Sequence, residues 1–108
     1  MLKLYEAEIE RVDDVAERVR ALGGRPLGSM EAMLQANHIQ EFEMSQPLPT
    51  DMEMWKIISA DWDTVIRRIR EIHDQVPPAD QGTLNFLEDM IESMEKEAWM
   101  NRSYNEMR

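Results

Sequence analysis

Apolar residues recur at helical spacing through three long stretches of this chain. In the first, Tyr5, Ile9, Val12, Ala16 and Val19 follow at steps of three and four, the repeat that keeps side chains on one helical face. This predicts a helix from about Leu2 to Leu22 with that stripe buried. Gly23 suits the position just past a helix end, and Pro26 keeps the helix from resuming at once. The second stretch opens on Thr50-Asp51-Met52-Glu53, a capping box in which the Thr and Glu side chains satisfy exposed backbone N–H groups. Trp55, Ile58, Trp62, Val65, Ile69, Ile72 and Val76 then alternate strictly, until Pro77 and Pro78 end the run. The third helix is expected to start near Asp80 or Thr83 and to carry Phe86, Leu87, Met90, Ile91, Met94, Ala98 and Trp99. All three tryptophans fall at core spacing, so packing is the expectation for each.

The connection from Gly23 to Pro49 is long for a compact domain. Ser29 can cap a short helix from Met30 to Ala36, and Pro47 and Pro49 fix an extended lead-in to the next long helix. A link of this length can run along a whole bundle and leave the flanking helices parallel. The pattern therefore predicts one all-α domain over residues 1–108, with three main helices and a short one in the connection.

Composition narrows the function. The chain has 108 residues with 22 acidic against 12 basic side chains, a formal charge of −10. That balance argues against a broad nucleic-acid footprint and makes direct DNA binding an unfavoured reading. It suits cations or basic partners instead. With no Cys, disulfides and thiolate metal sites are excluded, and a reducing cytoplasm is the expected setting. No apolar run reaches membrane-spanning length, and the N-terminus has no signal-peptide pattern. The ten Met residues read as adaptable core filler.

On the first helix, Glu6, Glu10, Asp13 and Glu17 fall within a sector of about 60° at 3.6 residues per turn. They lie beside the apolar stripe rather than opposite it. Spacing alone admits two readings: a solvated face partly neutralised by Arg11 and Arg20, or a metal-binding edge at an interface where a second chain supplies further ligands. Carboxylates one turn apart, such as Asp13 and Glu17, can share a hard cation, and with an occasional His they suit Fe(II).

Two blocks of sequence carry a resemblance. Ala16-Glu17-Arg18-Val19-Arg20-Ala21-Leu22-Gly23-Gly24-Arg25-Pro26-Leu27-Gly28-Ser29 resembles the end of the second helix, and the turn after it, in the Dps proteins. Asp80-Gln81-Gly82-Thr83, with Leu87, Glu95, Lys96, Trp99 and Met100, is similar to the last helix of that family, at the separation the family would show. The resemblance implies a ferritin-like helical bundle that lacks the first family helix. It also implies ferroxidase chemistry: iron binding, Fe(II) oxidation with peroxide, and ferric storage in twelve-membered shells that protect DNA from oxidative damage. Asp13 and Glu17 fall on the Asp and Glu that one subunit contributes to the family's ferroxidase site. By the resemblance, the partner's histidines would precede Met1 and the partner's Asp position falls on Leu2, so half of the site carries over. Glu6 and Glu10 match no invariant ligand but would assist mineral nucleation, and Asp80 would sit near a channel through which iron enters. Three helices leave apolar faces uncovered. Self-association follows as an expectation, as a shell or a smaller oligomer, or else a swapped arrangement or a second polypeptide that supplies the missing helix.

The remaining candidates have plainer readings. His38, near Glu41 and Glu43, reads as an exposed loop residue, and His73 with Asp74 as a favourable charge at a helix C-terminus. Arg67-Arg68-Arg70 reads as ion pairing on a solvated face. No phosphate-cradling glycine loop, zinc-binding HExxH helix or Ser-His-Asp arrangement is present. The rival to an iron protein is a catalytically inactive helical assembly module that keeps the packing surfaces and lacks a complete ferroxidase site.

Overall fold

The computed structural model describes residues 2–41, 43 and 45–106, and it is all-α over that span. Four helices follow in order: α1 (Leu2–Ala21), α2 (Met30–Ala36), α3 (Asp51–Gln75) and α4 (Gln81–Glu106). They divide into two compact units, residues 1–37 and residues 38–108.

In the first unit α1 ends as its glycines require. Gly23 takes φ +87°, a backbone conformation that costs any side-chain-bearing residue energy. The Gly23 N–H donates to the Arg20 carbonyl at 2.9 Å and the Gly24 N–H to the Val19 carbonyl at 2.9 Å, the paired bonds of a Schellman end. Gly24 has a second reason to lack a side chain, because a Cβ there would meet Val19 Cγ1 at 3.1 Å. Ser29 then caps α2, accepting from the Ala32 N–H at 3.1 Å.

The apolar stripe of α1 is helical as expected, but it is not buried. Ala16 and Val19 are half-buried, whereas Tyr5 is 66% and Val12 63% exposed. The physical reason is a lack of covering surface within the unit, where α1 is accompanied by a helix of seven residues.

The second unit is a helical hairpin. The capping box of α3 forms as read: Thr50 Oγ1 accepts from the Glu53 N–H at 3.2 Å, and Glu53 Oε2 accepts from the Thr50 N–H at 3.1 Å. After Gln75 the chain turns through Pro77 and Pro78, and Asp80 starts α4 by accepting from the Thr83 N–H at 3.1 Å and the Thr83 hydroxyl at 2.7 Å. The helices pack through Trp62, Ile66 and Ile69 on α3 and Met94 and Ala98 on α4, all buried. Asn101 is buried with them, its Nδ2 donating to Ser59 Oγ at 2.7 Å. Toward the open end of the hairpin, Trp55 and Tyr104 meet with ring centroids 5.9 Å apart.

Trp99 departs from expectation: it is 58% exposed. Adjacent helical residues point about 100° apart, and the buried row of α4 runs through Met94, Ala98 and Asn101, which turns Trp99 off the contact. Met54, Ile57, Ile72, Met100 and Tyr104 are exposed as well.

Candidate functional site

Helix α1 sets its acidic residues in a row because their spacing of four, three and four matches its turn. Glu6, Glu10, Asp13 and Glu17 are all exposed. None of the four makes a hydrogen bond or ion pair among the described residues, while Arg11 pairs with Glu8 instead. Asp13 and Glu17 therefore offer their oxygens outward, beside the exposed apolar side chains Ile9 and Val12. Two carboxylates give hard oxygen donors for a cation such as iron, yet among the described residues no group of three or more His, Cys, Asp or Glu side chains is placed to hold a metal ion. The pair fits iron as a contributor, with further donors required from elsewhere.

The other candidates lie apart from this row along the chain. Asp80 is half-buried and uses both carboxylate oxygens to cap α4. His38, Glu41 and Glu43 are exposed. His73 projects from the last turn of α3 toward α4, with Nε2 3.0 Å from Glu88 Oε1 and Nδ1 3.8 Å from Asp74 Oδ1. It borders a groove of about 470 Å³ whose walls include Arg70, Glu88, Glu92 and Glu95. The sequence reading recognised Asp74 and missed Glu88. The signal available was register: in a hairpin turning at residue 80, His73 and Glu88 stand almost equally far from the turn, as do Ser59 and Asn101.

The basic run resolves residue by residue. Arg68 pairs with Glu71 at 3.1 Å and Arg70 with Glu95 of α4 at 2.7 Å, which meets the expectation of ion pairing. Both pairs are substantially exposed and add little stability. Arg67 makes neither a hydrogen bond nor an ion pair among the described residues.

One carboxyl is perturbed by its surroundings. Asp61, half-buried on α3, is held above its ordinary value of 3.8 by loss of hydration. Its neighbours one helical turn away are Ile57, Ile58, Thr64 and Val65, three of them aliphatic.

Comparison with known proteins agrees with this architecture. A ferritin-like domain matches residues 1–107. An uncharacterized low temperature-induced protein of Nostoc sp. (strain PCC 7120) is 40% identical over 104 residues, covering 94% of this chain and 57% of the relative. DNA protection during starvation protein 2 of Bacillus anthracis is 27% identical over 103 residues, covering 94% of this chain and 68% of the relative. General stress protein 20U of Bacillus subtilis is 26% identical over 105 residues, covering 94% and 69%. The chain thus spans little more than half the length of the Nostoc relative. No helix among the described residues is long and apolar enough to cross a membrane. With its helices, its turn chemistry and this match over nearly its full length, the chain belongs to the ferritin-like family, among the Dps-like members.

Proposed function

We propose that this chain binds Fe(II), oxidises it and sequesters the ferric product, protecting DNA under stress as the names of its Bacillus relatives suggest. The observation that carries this reading is Asp13 and Glu17, one turn apart, exposed and unpaired on the first helix of a ferritin-like chain. Iron is the substrate. Asp13 and Glu17 hold it through carboxylate oxygens, and a second chain contributes the remaining donors. Each Fe(II) loses one electron, so two are consumed for every peroxide reduced to two waters, with two protons taken up. The charge gained by the metal strengthens its attraction to the carboxylates, which favours the oxidised product. Glu6 and Glu10 continue the row and would hold ferric ions as mineral nucleates. Asp80 would stand near the route by which iron enters. The proposed setting is a reducing cytoplasm, the proposed assembly a homo-oligomer up to a twelve-membered shell, and direct contact with DNA forms no part of the proposal at a charge of −10 per chain.

A second reading is favoured by the same incompleteness: among the described residues no three-donor cluster exists, which suits an inactive assembly module. One experiment separates the two. Stoichiometric Fe(II) and peroxide are mixed with the protein, and ferric absorbance is followed against buffer. The iron reading expects faster oxidation with the protein and the buffer rate for the Asp13→Ala, Glu17→Ala double variant. Equal rates for parent and variant would remove the site and leave the assembly module.

A further inference from the structure

Of the arginines at positions 67, 68 and 70, two find carboxylate partners and one does not. Arg67 instead lines a groove of about 360 Å³ on the α3–α4 hairpin, together with Arg102 from α4. Both are exposed, and neither makes a hydrogen bond or ion pair among the described residues. Ile66 and Ala98, both buried, also line the groove and give it an apolar floor. Arg70 lines it too, already paired with Glu95. Two carboxylates complete the lining: Glu95, the partner of Arg70, and Asp63, which is exposed and makes no hydrogen bond or ion pair among the described residues.

The geometry points to a binding site for a small phosphate-class oxyanion, held between Arg67 and Arg102. A guanidinium presents a planar fork of N–H donors that matches two phosphoryl oxygens, and Arg67 and Arg102 bring one such fork from each helix to the same groove. The groove volume lies at the lower end of small-ligand sites, more room than inorganic phosphate fills. Asp63 can accept from a hydroxyl, and the floor of Ile66 and Ala98 can cover a carbon skeleton, so the room beyond the phosphoryl group suits a phosphorylated polyol. The chain's net charge of −10 opposes anions at long range, but at physiological salt that field decays over about 8 Å. The local balance is then set by three guanidinium groups against two carboxylates, Asp63 and Glu95, with Glu95 already paired to Arg70. The site uses none of the residues of the carboxylate row on α1.

Isothermal titration of the whole chain with sodium phosphate, ribose 5-phosphate and sodium chloride at matched ionic strength tests it. Saturable heat at about one equivalent per chain is expected with a phosphate ligand and not with chloride. Arg67→Ala with Arg102→Ala should weaken binding about tenfold or more, with the helical circular dichroism signal unchanged. The control pair Arg20→Ala and Arg25→Ala should bind as the parent does. Equal affinity for the two phosphates would identify free phosphate as the ligand. A preference for ribose 5-phosphate that Asp63→Asn removes would identify an organic ester. Heats that do not saturate, that chloride reproduces, or that survive loss of Arg67 and Arg102 would overturn the site.

Discussion

A carboxylate one helical turn from Ile57, Ile58 and Val65 loses hydration, and Asp61 responds by holding its proton more tightly than in the unfolded chain. Below the ordinary value of 3.8 both states are protonated, so the group makes no difference to stability. As pH rises through 3.8 the unfolded chain ionises first, and stability falls until the folded carboxyl has ionised too. Above that point the cost is constant. Asp61→Asn is therefore expected to raise Tm at pH 7 and to leave it unchanged below 3.8, as thermal melts at the two pH values would check. A gain of equal size at both would refute the desolvation account. Single residues also mark where sequence reasoning stops. The start of α4 near Asp80 was legible because the capping partner, Thr83, is only three positions away. The exposure of Trp99 was not, because helical spacing leaves open which of several apolar rows meets the neighbouring helix. His73 with Glu88 was hidden for the same reason, since a pair fifteen residues apart exists only once the register of the hairpin is known.

At the scale of elements, helix ends were the most legible features, because their chemistry is local. Gly23-Gly24 stops α1, Ser29 caps α2, and Thr50 with Glu53 caps α3, each through bonds between residues no more than five positions apart. The capping box of α3 should therefore be separable from the rest of the fold. Thr50→Ala loses the bond accepted from the Glu53 N–H and is expected to cost about 1 kcal/mol, a drop of several degrees in Tm for a domain of this size. Denaturant melts of the two proteins would measure it. A variant that melts with the parent would mean that this first turn is frayed and its cap idle. Burial was less legible than helicity. The stripe from Tyr5 to Val19 has the right period, yet Tyr5 and Val12 stay more than half exposed, because periodicity tells which face is apolar and not whether anything covers it.

For the whole molecule, exposed apolar surface and the proposed metal site, which one chain leaves incomplete, have one common explanation. Tyr5, Ile9 and Val12 flank the row that contains Asp13 and Glu17, and all five are exposed. Large apolar side chains gathered on one face mark contact with another surface, and the two carboxylates need donors that the described residues do not assemble. A second chain laid along α1 would cover the first and supply the second. The spacing of Asp13 and Glu17 was legible from the sequence, whereas the completing ligands were not, since a periodic pattern on one chain carries no information about its partner. Burial of these faces also bears on folding, because the net stability of a small domain is only about 5–15 kcal/mol and the buried core here is small. The most direct test is the native mass by size exclusion with light scattering at micromolar concentration. The account predicts a defined multiple of 12.7 kDa, up to a twelve-membered shell, whereas a folded, cooperatively melting monomer would contradict it.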